Sequence, residues 1–224
     1  MEPLKDVKRL HKIFLGIFGI VLVWSAIDYK SLITWFLEAF PAIVFVLVLV
    51  IIYNRVRFSD FVYAMILLHV IVLLWGAKHT YEENPLFDFL MNRYDLARNY
   101  YDRVGHFFQG LVPALMAKEI LLSRGYMKRN KMFYFTVIAM ILGISAFYEL
   151  LEFAVSRISG VPGYMVLSYQ GDEWDTQWDM TTAMIGALIS LGLLRKFHDR
   201  QMEKHFMEIK NIIPKARSNN NDSK

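Results

Sequence analysis

Six stretches of this chain are apolar for long enough to cross a bilayer core, which takes about 20 mostly apolar residues in a helix. They run over residues 12–28, 33–53, 61–77, 105–122, 132–155 and 180–197. Between them the sequence turns polar abruptly, as in NRVRFSD after the second stretch and SRGYMKRNK after the fourth. The pattern predicts an all-α polytopic bundle: a six-helix transmembrane domain over 1–197 and a cytoplasmic C-terminal tail over 198–224. Apolar residues at 202, 206, 209 and 213 recur at helical spacing, so the tail should begin as a helix, while its end, SNNNDSK, has too little apolar content to pack and should be disordered. The first span follows the basic opening MEPLKDVKRLHK but ends in WSAIDYK without a small-x-small cleavage site. It is expected to be retained rather than removed as a signal peptide.

Charge sets the orientation. With a cytoplasmic N-terminus, the inner side receives 19 of the 25 Lys and Arg, and the other side keeps Lys30, Lys78, Arg93, Arg98, Arg103 and Arg157. Cytoplasmic loops carry such an excess of basic residues, so both termini are expected inside. Because the basic residues fall in the connections between spans, the net charge of +4 points to topology and no nucleic-acid partner is expected. Acids divide the opposite way, 13 of 21 on the outer half. Insertion is nearly indifferent to acids, so their excess needs its own explanation.

The outer connections, 78–104 and 156–179, are also the long ones, and long ordered loops are often functional. In the first, FDFLMNRYDLARNYYDRVGHFF spaces its aromatic and Leu positions as a surface-lying amphipathic helix would, running into the fourth span. The second contains SGVPG, a turn signal. Three helix ends there bring acids together. YDRVGHFFQG puts Asp102, His106 and Gln109 on one face, at spacings of four and three. SAFYELLEF puts Glu149 and Glu152 three apart on another. GDEWDTQWDM places Asp172, Asp175 and Asp179 at the entry to the last span. His79 ends the third span on the same side, and Glu38 either lines the site or pairs with Lys30.

An ionisable side chain within a span costs about 2.5–3.5 kcal/mol on insertion scales, so it persists when paired, hydrated or useful. The chain has no cysteine, which excludes disulfides, thiolate ligands and cysteine nucleophiles. Carboxylate oxygens with imidazole nitrogen suit a divalent ion such as Mg²⁺, Mn²⁺, Ca²⁺, Fe²⁺ or Zn²⁺. The expected metal ligands are Asp102, His106, Glu149, Glu152, Asp172, Asp175 and Asp179. In a metal-dependent membrane hydrolase or transferase, His106 or Glu149 would act as general base and Arg103 as a clamp for phosphate or carboxylate, on a lipid or lipid-linked envelope substrate.

Plainer readings stand beside this one. Glu149 and Glu152 could pair with Arg103 and Arg157 and simply hold helices together. The same acids could serve a transporter or ion-binding protein, or a non-catalytic subunit. His69 reads as an interhelical hydrogen-bond donor, Glu119 as a cytoplasmic interface residue, and His198 and His205 as solvated. Trp174, Trp178, Tyr94, Tyr100 and Tyr101 fit an interfacial aromatic belt. Pro113 should kink the fourth span, and Ala183, Gly186, Ala187 and Ser190 form a small-residue stripe suited to close helix packing.

The motifs YDRVGHFFQGLVPA, SAFYELLEF and YQGDEWDTQWDM resemble the signatures of the YjdF-like family of bacterial inner-membrane proteins, in order and over most of the chain. Asp102, Arg103, His106, Gln109, Gly110, Tyr148, Glu149, Glu152, Gly171, Asp172, Trp174, Asp175, Gln177 and Asp179 all match that pattern. Lys78-His79 departs from it, standing where similar members carry His–Tyr, and Phe153 stands where Trp is usual. The resemblance implies a multi-pass protein of the bacterial inner membrane. A weaker similarity, in two short motifs, is to VanZ-like membrane proteins, and implies work connected with the cell envelope.

Overall fold

The structure, a computed structural model, describes residues 7–159 and 170–207. The expected SGVPG turn and the disordered end of the tail lie outside the described residues. Among the described residues eight α-helices follow in chain order: α1 Arg9–Ser25, α2 Leu32–Ile52, α3 Asp60–His79, α4 Pro85–Tyr94, α5 Tyr101–Ser123, α6 Lys131–Ser159, α7 Asp175–Leu191 and α8 Arg195–Met207. A single 3₁₀ turn, Tyr81–Glu83, links α3 and α4. No strand occurs among the described residues, in keeping with the all-α expectation.

Local chemistry sets the boundaries. The Ser31 hydroxyl accepts from the Thr34 N–H and the Ser59 hydroxyl from the Val62 N–H, each satisfying a donor that the first helical turn leaves free. Asn84 caps α4 in the same way, with Pro85 at the first position, where its missing N–H costs nothing. The amphipathic segment does not run unbroken into α5: Asp95 adopts a left-handed conformation (φ 52°, ψ 46°) that ends α4. Short polar chain then leads to Tyr101. Pro113 lies inside one uninterrupted α5, where it leaves the Gln109 carbonyl without a helical donor.

Three helices, α2, α3 and α6, are long and apolar enough to cross a membrane, and α7 with α8 would make a fourth as a pair bent by 62°. α1 and α5 fall outside this set. α1 has only 17 residues. α5 carries Asp102, Arg103, Lys118 and Glu119, all of them shielded by neighbouring helices rather than facing lipid.

α5 is the axis of the bundle and packs against α3, α6 and, along most of its length, α7. A Cβ on Gly110 would collide with the Ala183 backbone, and one on Gly186 with the Phe107 carbonyl. The two backbones therefore touch, as small-residue interfaces permit in membranes. Ala183, Ala187 and Leu191 of α7 join Ala114 and Ala117 of α5 and Phe133, Val137 and Ile141 of α6 in one buried cluster. On the other side of α5, Leu111, Val112 and Leu115 meet Val62, Tyr63 and Ile66 of α3.

Replacing Gly110 or Gly186 by Ala should lower the thermal midpoint of detergent-solubilised protein, at a cost of about 1–3 kcal/mol each, because neither backbone can retreat. Gly143→Ala, with open space around its Cβ position, should leave the midpoint unchanged or slightly higher. Equal behaviour at all three glycines would contradict the close approach.

Candidate functional site

At the N-terminal end of α5 the side chains form two layers. The outer layer is an ion-pair network. Arg103 donates from Nη1 to Asp179 Oδ1 (2.6 Å) and to the Asp175 carbonyl (2.8 Å), and from Nη2 to Asp175 Oδ1 (2.7 Å) and Asp172 Oδ2 (3.1 Å). Arg98, only 4% exposed, donates to Asp175 Oδ1 (2.5 Å) and reaches Asp172 Oδ2 at 3.4 Å. Local structure aims these groups. The Gln170 side chain pairs twice with the Asn99 backbone at 3.0 Å, its Oε1 accepting from the Asn99 N–H and its Nε2 donating to the Asn99 carbonyl, and Asn99 Oδ1 accepts from the Tyr101 N–H at the start of α5. Asp172 Oδ1 likewise accepts from the Trp174 N–H just before α7. Glu82, in the 3₁₀ turn, stands at the rim: burial raises its carboxyl above the ordinary range, with Arg98 pulling it back down.

The inner layer is centred on His106, which is 5% exposed. Its Nδ1 meets Gln109 Oε1 at 3.1 Å, so Nδ1 donates, and in the neutral imidazole Nε2 presents a lone pair. Three carboxylates surround that lone pair: Asp102 Oδ1 at 3.7 Å, Glu149 Oε1 at 3.7 Å and Asp179 Oδ1 at 3.8 Å. These separations are too long for hydrogen bonds. They suit ligands sharing one ion, since two atoms each about 2.1 Å from a metal lie at most about 4.2 Å apart. Asp102, His106 and Asp179 each offer a ligand atom within 4.8 Å of the other two, and all three residues are buried. Glu149 adds an unpartnered, buried Oε1, its Oε2 accepting from the Thr176 hydroxyl at 3.0 Å.

Of the seven acid and His residues expected to bind metal, the structure brings Asp102, His106 and Asp179 into one group, with Glu149 Oε1 outside it at 3.7 Å from His106 Nε2. Asp172 and Asp175 are drawn into the arginine network instead, and Glu152 lies one helical turn beyond Glu149, outside the three-residue group. Arg103 is fully occupied by aspartates. The pairing of Glu149 or Glu152 with Arg103 or Arg157 does not occur among the described residues. Glu38 is held in place by the Tyr81 backbone N–H, with its Oε2 buried and unpartnered, while Lys30 pairs with Glu83. His79 faces the Trp24 ring rather than the cluster. Tyr94, Trp174 and Trp178 are half exposed or more, as a belt requires, but Tyr101 is buried and donates to the Val72 carbonyl (2.7 Å). Arg98 was not foreseen. Its one signal is its place among the few basic residues of the acidic outer half, five positions before Arg103.

The far end of α5 holds a second polar group. Glu119 accepts from the Ser59 N–H (2.9 Å) and hydroxyl (2.5 Å) and meets His198 Nε2 at 2.9 Å. His198 is completely buried and His205 nearly so, the latter bonded to the Arg57 carbonyl at 2.9 Å. Neither is solvated as the sequence suggested, because α8 folds back onto the bundle. Asp199 binds Lys118 (2.8 Å) and both terminal nitrogens of Arg129 (2.6 Å each).

A family model described as "Predicted membrane protein (DUF2238)" matches residues 10–200. The chain belongs to this family. The Inner membrane protein YjdF of Escherichia coli (strain K12) is 40% identical over 185 residues, which is 83% of this chain and 88% of that protein. No solved structure matches the chain. Like other DUF2238 proteins, the chain is an integral membrane protein, and its place is the cell inner membrane.

Two outcomes follow from these contacts. Arg103→Ala would leave Asp179 buried without its arginine and Asp175 with Arg98 alone, and should lower stability by about 3–5 kcal/mol in thermal or denaturant unfolding; a silent substitution would mean that the network carries no load. Hydrogen bonds from Arg129 hold the Asp199 carboxyl below the usual carboxylate range. A depressed folded-state value contributes stability above the unfolded pKa of about 3.9, and that contribution is lost as pH falls through the folded-state value. Asp199→Asn should therefore be less stable than wild type at pH 7, with the gap narrowing below about pH 4.

Proposed function

We propose that this protein is a membrane-embedded, metal-dependent enzyme whose site opens at the extracytoplasmic face and acts on a lipid or lipid-linked envelope substrate. It crosses the membrane six times, with both ends cytoplasmic. The observation that carries the reading is the lone pair of His106 Nε2 facing three carboxylates at 3.7–3.8 Å. A lone pair and anions at that spacing repel one another, and a divalent cation between them removes the conflict. Asp102, His106 and Asp179 would hold the ion and Gln109 would fix the imidazole, the orienting role that outer partners take at metal sites. The ion would lower the pKa of a bound water and polarise a substrate oxygen. Glu149 Oε1, buried and unpartnered, is placed to take the proton from such a water. Arg103 is a positioning residue here, since its donors already serve Asp172, Asp175 and Asp179.

The envelope-facing direction is supported by the basic residues, 19 of 25 of which fall on the inner side. Transport is less well supported. Asp102 and Glu119 are separated by about 25 Å of α5, and Leu111, Val112 and Leu115 fill the space between them with Val62 and Ile66, leaving an apolar layer where an ion path would run. A second reading, a non-catalytic subunit with a structural cluster, is favoured by the Arg98 and Arg103 network, which needs no metal to tie α5 to α7.

Elemental analysis separates the two. Wild type purified in detergent without chelator should carry about one divalent ion per chain, and His106→Ala and Asp179→Asn should lose it while keeping the wild-type elution profile. A well-folded, metal-free wild type would overturn the enzyme reading. Orientation has an independent test, because the chain contains no cysteine. In intact cells, a membrane-impermeant thiol reagent should label Glu173→Cys and spare Lys128→Cys, both at exposed positions; the reverse pattern would invert the topology.

A further inference from the structure

α1 and α2 are neighbours in sequence, yet each packs on α3 rather than on the other. They are tied together at two points. Near their connection, the Trp35 Nε1–H donates to the Ser25 hydroxyl at 3.2 Å, and at the opposite end His11 Nδ1 meets the Tyr53 hydroxyl at 2.7 Å. Between these ties the helices part and leave a slot of about 200 Å³ that is open to the side. Phe14 and Phe18 of α1, Val46 and Val50 of α2, and Ile66 and Leu67 of α3 line it, and the walls are almost wholly apolar. On α3, this lining leads down to the end where Ser59 and Asp60 begin the helix.

That end is basic. Lys8, Arg9 and Lys12 precede or open α1, and Arg55 and Arg57 follow α2, beside Asp60, which Lys8 and His11 engage at 3.0 Å, and Glu119, which Ser59 and His198 engage. Arg9, Lys12 and Arg55 are exposed. An apolar slot at membrane depth, ending beneath several cations, matches a molecule with an acyl chain and a negative head. The cytoplasmic leaflet attracts basic segments through its anionic lipids, at about 1 kcal/mol per Lys or Arg near the surface.

We propose that this slot is a binding site for one anionic glycerophospholipid of the inner leaflet, with an acyl chain lying between α1 and α2 and the phosphate held by Lys12 and Arg55. The leaflet follows from the six-span orientation above, and the site is otherwise independent of the metal centre at the opposite end. The cluster of His11, Tyr53 and Tyr63 closes the slot beneath the head, with the His11 and Tyr63 ring centroids 4.1 Å apart.

Native mass spectrometry of the full chain tests this, with delipidated protein titrated in detergent against phosphatidylglycerol or phosphatidylcholine. Wild type should retain one phosphatidylglycerol, with a preference of roughly thirtyfold over phosphatidylcholine for two phosphate-pairing cations. Val50→Trp, and separately Leu15→Trp, fill the slot from its half-exposed rim, and either should abolish the retained lipid while the thermal midpoint stays near wild type. Lys12→Gln with Arg55→Gln should keep a lipid but lose the headgroup preference. Equal retention of the two lipids by wild type, undiminished lipid in both folded Trp variants, or a dimer in place of a lipid adduct would each overturn the proposal.

Discussion

The backbone contact between α5 and α7 is the constraint on which the rest of the structure depends. Where Gly110 meets Ala183 and Gly186 meets Phe107, no side chain separates the helices. One to two turns nearer the outer end, the same pair presents His106 and Asp102 on one side and Asp179 and Asp175 on the other. Without the close approach, Arg103 could not span the gap to three aspartates, and Asp179 Oδ1 would not stand within 4 Å of His106 Nε2. In a bilayer no hydrophobic force drives helices together, so packing and polar contacts must do so. The small residues permit the approach and the arginines lock it.

Much of this was legible in the sequence because it depends on short-range spacing. The i, i+4 relation of Asp102 and His106 and the i, i+3 relation of His106 and Gln109 need only a helix. Asp179 could be placed because it opens an apolar run, and Glu149 because its span returns to the same side. The small-residue stripe on α7 announced a close neighbour, although not which helix it would be. Length and apolar content located the helices well, and charge bias suggested which ends belong together.

What was not legible depends on chain reversals. Arg98 reaches Asp175 across 77 positions, and does so because the Asn99–Gln170 pair fixes the approach of two loops, a contact with no periodic trace. The split of the seven expected ligands has the same origin. Helical spacing treats Asp172, Asp175 and Asp179 alike, but α7 begins at Asp175, so Asp172 lies off the helix and turns to the arginines. His198 and His205 misled because a charged tail reads as solvated. The bend after Leu191 folds α8 back, and Glu119 and the Arg57 carbonyl then supply buried partners.

The two ends of α5 solve the same electrostatic problem differently. At the inner end each buried acid meets donors: Glu119 has Ser59 and His198, and Asp199 has Lys118 and Arg129. Neither of these acids is left for a ligand to neutralise. At the outer end, two arginines answer Asp172, Asp175 and part of Asp179, and then the cations stop. Asp102 and Glu149 face an imidazole whose hydrogen points away from them, toward Gln109. Burying carboxylates beside a lone pair is costly unless something positive lies between them. Asp179 Oδ1 also accepts from Arg103 and Glu149 Oε2 from Thr176, but the oxygens that face His106 stand 3.7–3.8 Å from its nitrogen, beyond hydrogen-bond reach. In the proposed reading a divalent ion would answer all of them at once, with the inner layer as the site and the outer layer as its frame.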